Sequence, residues 1–410
     1  MPEIAEVARV THFLRQHLVG KKISKVVAQD DNLIFGKVGT SGPAFEKALT
    51  GKRVVSAGSQ GKYFWLELDQ QPHPVMHLGM TGWIHIRGEQ TAYTRYAEKT
   101  KNADKEAWPP SYWKFHLETD SDPKVCVAFT DARRLGRVRL VDCPGAEIRS
   151  HSPLVENGPD PVVDREIFTE AYLKQKMKKR HVPIKALLLD QAMISGIGNW
   201  VGDEILYQAA LHPEQYSDDF SDAEIARLHK AICYVCDTAV EKLGDSDQFP
   251  KDWLFAHRWG KGKKGAAKTL PTGEKMIHIT VGGRTSCVVP SRQQKTGRVA
   301  GGIKEEPKPE TETETKTKEK KKSRFFDRGN DVDGDPEAES EVRPKKKPRT
   351  ATQKAVKKQT AAKMEDDESP LTNAPDPKPK GADRKTKETP TAPPLDTGRR
   401  RSTRLSKTAS

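Results

Sequence analysis

The composition changes abruptly near residue 292, and that change limits what can fold. Residues 293–410 hold 30 of the chain's 71 Lys/Arg and 21 of its 57 Asp/Glu. Phe325 and Phe326 are the only aromatic residues in this segment, which is dense in Lys, Glu, Pro and Thr. Such a stretch cannot bury enough apolar surface to offset its ordering entropy, so it reads as a disordered basic tail. The folded body is expected over about residues 1–292, ample for a core. A formal net charge of +14 points to a polyanionic partner, nucleic acid before anionic membrane. No run of 18 apolar residues and no signal-like start is present, so no membrane association is expected. Five cysteines make an odd set for a chain without a secretory signal, which fits a reducing compartment. Cys233 and Cys236 have metal-like spacing, but they lie in the helical pattern AICYVCDTAV without a second Cys/His pair. Core packing is expected there, and no metal.

Within the body, periodicity separates three regions. Residues 3–19 read as a helix, with Ile4, Val7, Thr11, Leu14 and Leu18 on one stripe and Gly20 as the stop. From Lys22 to Val141 the segments KISKVVAQ, KRVVSAG, KYFWLELD, PVMHLGMTGWIHI, KFHLETD, KVCVAFTD and GRVRLVD alternate in polarity and break at Gly, Pro, Asp and Asn. They predict a β-sandwich or flattened barrel of seven or eight strands. The polar stretch 88–111 reads as a long surface loop, and the PDP at 159–161 as a domain boundary. Residues 164–244 then turn helical, with a capping-box arrangement from Ser221 to Glu224. KMIHIT, a VGGR turn and TSCVVP close the body as two strands.

Two places carry chemistry. Initiator Met is usually trimmed before a small residue such as Pro, which would leave Pro2 as a terminal secondary amine beside the carboxylate of Glu3. A terminal amine titrates near ~8 against ~10.4 for lysine, so more of it is free base at neutral pH. It can attack an aldehyde-like carbon to form an iminium ion, with the carboxylate shuttling protons. The second place is KALLLDQAMISGIGNW, where one apolar helix ends and another opens at Asn199. The small residues there predict a phosphate close to the backbone amides, and the start of the first helix invites an anion in the same way. On spacing alone a purely structural αα-corner reads the same.

The terminus PEIAEV resembles the PELPEV start of the formamidopyrimidine-DNA glycosylase/endonuclease VIII family. SQGKYFWLEL, MHLGMTG, FTDARRLGRV, IKALLLDQ…GIGNWVGDE and HITVGGRT follow in that family's order, over about residues 2–292. The resemblance implies an α+β multidomain protein. An N-terminal β-sandwich with a leading helix would span 2–150 and a helix–two-turn–helix domain 160–250. A finger hairpin would span 251–292, and the disordered basic tail 293–410. It implies a bifunctional glycosylase and abasic-site lyase acting as a monomer on double-stranded DNA with oxidised bases or abasic sites. No metal, flavin or nucleotide cofactor is needed, because the imine is the electron sink.

The same resemblance implies residue roles. Pro2 matches the nucleophile that attacks C1′, Glu3 the proton shuttle, and Glu6 a second active-site acid. Lys62 matches a phosphate-holding lysine on the strand before the hairpin. Met80, Arg133 and Leu135 match the residues that fill the void left by a flipped base, and Met80 is placed at the exposed tip of a hairpin-like turn. Leu135 stands where the bacterial pattern usually has Phe. Lys185 and Asn199 match phosphate ligands of the two-turn element, and Arg284 the finger arginine. Many bacterial fingers hold zinc with four cysteines. Here HITVGGRTSCVVPSR has only Cys287, so the chain resembles the zincless branch, with its finger held by Ile277, Ile279, Val288 and Val289. GDSDQFPKDWLFAHRWGKG leaves little room for the bacterial lesion-capping loop.

The tail carries EKKKSR, RPKKKPR and GRRRSTR, which read as nuclear import signals or DNA tethers. Two other classes compete with the enzyme. A noncatalytic DNA or chromatin binder would have no need for Pro2, Glu3 and Met80. An RNA-binding module would share only the two-turn element.

Overall fold

The computed structural model describes residues 2–92, 107–259, 261 and 268–299. Helix α1 (Ile4–Leu18) leads, as its stripe predicts, and Gly20 stops it in a left-handed conformation at φ 83°. Strands β1 (Ile23–Ala28), β6 (Trp113–Thr119), β7 (Cys126–Thr130) and β5 (Trp83–Ile86) form one antiparallel sheet in the order β1-β6-β7-β5. Strands β2 (Val54–Gln60), β3 (Tyr63–Leu68), β4 (His73–His77) and β8 (Arg137–Val141) form the second, in the order β2-β3-β4-β8. The alternation in these segments thus builds the expected sandwich: strands such as β3 bury one face between the sheets, whereas β4 and β7 are buried on both faces. Helix α2 (Gly42–Leu49) is an addition that the strand-like reading of this region passed over. Ser41 caps it and Phe45 and Leu49 carry it into the core. Of the expected loop at 88–111, residues 93–106 lie outside the described residues.

The helical region holds α3 (Glu170–Lys178), α4 (Ile184–Leu188), α5 (Asn199–Gln208) and α6 (Asp222–Glu241). The capping box at Ser221 and Glu224 starts α6, and Cys236 is buried in its packed face. The antiparallel hairpin of β9 (Ile277–Val281) and β10 (Arg284–Val288) follows, turning at Gly282–Gly283.

Helix α1 belongs to two cores at once. Val7, Val10, Leu14 and Leu18 pack with the sandwich, whereas Ile4 and Ala5 pack with Leu187, Ile197, Trp200, Val201 and the buried face of α6. Its first turn therefore lies at the junction, and Pro2 with it. The PDP segment is a joint rather than a plain linker. Buried Asp160 accepts from the Gly61 amide at the tip of the β2–β3 turn (2.7 Å), and Pro159 O accepts from Ser195 N (3.1 Å). One boundary moves. Residues 293–299, expected to start the tail, pack on the helical region. Gln293 is 1% exposed, accepting from Val289 N (2.9 Å) and donating to Leu211 O (3.0 Å), and Thr296 bonds Gln215 and Glu224. Residues 300–410, the rest of the expected tail, lie outside the described residues.

Candidate active site

Glu3 organises the junction. Its carboxylate accepts from the Trp200 amide (3.0 Å) and the Val201 amide (3.1 Å), the open N–H groups at the start of α5. The anion at this helix start is therefore a side chain of the same chain, where the spacing had predicted a phosphate. Gly198 makes the approach possible, because a Cβ there would stand 2.2 Å from the Glu3 carboxyl carbon. The amides opening α1 are also occupied: Glu3 N donates to Glu6 Oε2 (2.8 Å) and Ile4 N to Gly196 O (3.0 Å). Pro2 is thus held from both sides through its neighbour, and it is buried.

Lys62 lies in the tight turn between β2 and β3 rather than on a strand, with Gln60 paired to Tyr63 on either side. Burial pushes its ammonium below the ordinary lysine pKa. Glu3 and Glu6 oppose that shift, while Arg284 and Lys185 add to it, so these five charges share one neighbourhood. Burial likewise raises the Glu6 carboxyl, and the charge of Glu3 pushes it the same way.

A second group forms at the sandwich edge. The turn after β4 carries Met80, which is half-buried, and it crosses between the sheets instead of closing a hairpin. Asp131, fully buried, ties this turn to the β7–β8 loop. Its Oδ1 accepts from Thr81 Oγ1 (2.6 Å) and Arg133 N (3.1 Å), and its Oδ2 from Gly136 N (2.7 Å). Gly79, at φ 64°, lets the two segments touch, since a Cβ would fall 2.4 Å from the Leu135 carbonyl carbon. Met80, Arg133 and Leu135 are thereby brought together. Arg134, at φ 56°, grips Asp31 with two bonds (2.7 and 2.9 Å) and fixes the loop from below. Burial would raise the Asp31 carboxyl, but Arg134 and the amides of Leu33 and Ile34 hold it at about 2. His77, unnoticed in the sequence, lies beside Lys62, Arg137 and Arg139. Its Nδ1 accepts from Gly79 N (2.9 Å), and burial with those cations pushes it down to about 4.

Lys185 departs from expectation. It is fully buried, and its ammonium is bound to Asn199 O (2.6 Å) and Asp203 Oδ1 (2.6 Å). In this conformation the ammonium is turned inward, tying the start of α5 to Asp203 instead of meeting solvent. Asn199 stands at that start, half-buried. Arg284 opens β10 after the glycine turn. The finger's apolar support also differs. Val288 and Val289 are buried, but Ile277 and Ile279 are only half-buried, and Leu270, Met276 and Cys287 complete a small core with Tyr207 and Leu254.

The fold and site define a class: a sandwich and a helical region meeting at an amino-terminal Pro-Glu pair, flanked by lysine, arginine and a finger hairpin. The sequence profile of the formamidopyrimidine-DNA glycosylase N-terminal domain matches residues 1–138, and that of the H2TH domain matches residues 157–250. The chain is 40% identical over 300 residues to the formamidopyrimidine-DNA glycosylase of Arabidopsis thaliana, covering 73% of each chain. It is 32% identical over 302 residues to that of Dinoroseobacter shibae, covering 72% of this chain and 100% of the relative. Among solved structures, MutM with DNA containing carbocyclic 8-oxoguanine matches with a TM-score of 0.58 and 25% identity, covering 72% of this chain and 100% of that one. The Lactococcus lactis enzyme with DNA containing an abasic site matches with a TM-score of 0.57, 25% identity and the same coverage. The chain belongs to the formamidopyrimidine-DNA glycosylase family.

Proposed function

We propose that the chain excises oxidised bases from double-stranded DNA and nicks the strand by β- and then δ-elimination. The observation that carries this reading is the clamp of Glu3 on the α5 amides, which holds Pro2 at the junction beside Lys62 and Arg284. With Met1 removed, the Pro2 nitrogen attacks C1′ of the damaged nucleotide, the base departs, and an iminium forms. Two amide bonds occupy only part of the Glu3 carboxylate's acceptor capacity, so it can still take and return sugar protons. Successive loss of the 3′ and 5′ phosphates leaves a one-nucleotide gap with phosphate on both ends. Lys62, Asn199 and Arg284 hold backbone phosphates, while Met80, Arg133 and Leu135 fill the space left by the flipped nucleotide.

The finger works without zinc. The finger segment has one cysteine, Cys287, and it is buried in the small core with Leu270 and Met276. The basic clusters at 319–324, 343–349 and 398–404 direct the protein to the nucleus.

Formamidopyrimidines and hydantoins are preferred over 8-oxoguanine, which stacks nearly as guanine does and costs more to flip. Leu135 offers less stacking surface than an aromatic wedge. Residues 249–254, in the stretch that would have to supply a capping loop, instead bury Phe249, Trp253 and Leu254. Single-turnover excision on matched single-lesion duplexes tests this. Faster release of hydantoin and formamidopyrimidine is expected, and comparable rates for 8-oxoguanine opposite cytosine would contradict the preference.

A further inference from the structure

One buried carboxylate connects the two-turn element to the finger. Asp203, 1% exposed on α5, divides its oxygens between them. Oδ1 takes the ammonium of Lys185, which also holds Asn199 O. Oδ2 takes the Arg258 guanidinium through Nη2 (2.7 Å) and Nε (3.1 Å), and also the backbone N–H of Cys287 in β10 (3.1 Å). Burial would raise the Asp203 carboxyl, but Lys185 and Arg258 keep it below the ordinary range and therefore ionised. Arg258 reaches the other finger strand as well, since its carbonyl lies 3.2 Å from His278 Nε2. The Trp259 ring covers its guanidinium at 4.5 Å. Arg258 is 8% exposed, so this ion pair is shielded from salt and solvent.

We propose that Asp203 and Arg258 are positioning residues that set the finger, and with it Arg284, relative to Asn199. They do by ion pairing what four thiolates and a metal cannot do in a finger with one cysteine. The chain of contacts runs from Asn199 through Lys185 to Asp203, then through Arg258 and Cys287 into both finger strands. At one end stands Asn199 and at the other β10, the strand that Arg284 opens; Asn199 and Arg284 are phosphate-holding residues of the proposed function, on which this inference rests. Phosphate contacts fix register on the duplex, so a finger that rocks about α5 weakens binding without altering the chemistry at Pro2.

The test is a double-mutant cycle on the full chain, using a duplex with a tetrahydrofuran abasic-site analogue. Arg258→Met leaves Asp203 paired with Lys185, and is expected to raise Kd about tenfold. Single-turnover excision at saturating protein should stay within about twofold of wild type. Arg258→Lys should recover most of the affinity. In an Arg284→Ala background Arg258→Met should add little, because the residue it positions is gone. Equal losses in both backgrounds, or wild-type affinity for Arg258→Met, would overturn the proposal. If Arg258→Met does not fold, Arg258→Gln, which removes the charge but keeps a polar side chain, supplies the same cycle, and equal losses in both backgrounds there also overturn it. An Arg284→Ala protein that binds as wild type would instead refute the finger's assigned role.

Discussion

Replacing Gly198 with alanine should disable the proposed enzyme from the far side of its active site. The backbone tolerates the change, because Gly198 has φ −121°, a value any residue adopts. The side chain does not fit. Its Cβ would stand 2.2 Å from the Glu3 carboxyl carbon and 2.4 Å from Oε1. Ordinary contact begins at 3.4 Å, so the carboxylate must retreat by about 1.2 Å. The bonds to Trp200 N and Val201 N, now 3.0 and 3.1 Å, then stretch past useful length. A hydrogen bond to a charged group contributes about 1.5–3 kcal/mol. A misplacement of about 1 Å at a reacting centre costs about 100-fold in rate, or about 2.7 kcal/mol. The displacement sets the expected fall in single-turnover excision at about 100-fold, and losing the two amide bonds, together about 3–6 kcal/mol, makes this a lower bound. Affinity for abasic-analogue DNA should be largely kept, because Lys62, Asn199 and Arg284 are untouched. A Gly198→Ala protein excising within about threefold of wild type would show that Glu3 does not depend on the α5 amides.

Three further outcomes follow from particular contacts. Stability, read from urea midpoints, should fall as pH drops from about 6.5 towards 4. His77 and His85, each pushed down to about 4 chiefly by burial, must take up protons there on unfolding, and His77→Gln should flatten the slope. Ending the chain after Val299 should leave excision and melting temperature unchanged and make binding less salt-dependent; ending it after Arg292 should also lower the melting temperature, since Val289 N and Leu211 O lose Gln293. Elemental analysis of the purified protein should find no stoichiometric zinc, and chelator should leave activity intact; about one zinc per chain with chelator-sensitive activity would contradict the reading of the finger.

What could be read in the sequence was whatever is periodic or local. Strand alternation survives in the sandwich where strands such as β3 bury one face, and the stripe of α1 runs into two cores that share it. The ordered motifs pointed to Pro2, Glu3 and Arg284 because a terminal amine beside a carboxylate, and an arginine after a glycine turn, are recognisable from the local sequence alone. Long-range polar contacts left no such trace. Glu3 meets α5 across 197 residues and Asp160 meets Gly61 across 99, and neither carboxylate differs in sequence from a solvated one. Lys185 read as a phosphate ligand because its burial depends on Asp203, 18 residues away. Nothing in the local sequence distinguishes Arg258 from the other cations of a basic chain. Helix α2 was missed because eight residues between strands give too short a period to register.

The reacting amine proposed for this site is the backbone nitrogen of Pro2. Borohydride reduction of the full-length protein on abasic-site DNA, followed by peptide mass spectrometry of the adduct, tests it directly. One stable cross-link is expected, located at Pro2 of a chain that has lost Met1, and none in protein confirmed to retain a residue ahead of Pro2. A cross-link at Lys62, or full trapping with the terminus blocked, would contradict it. Unimpaired DNA binding with no adduct at all would mark the chain as a binder on an enzyme's fold.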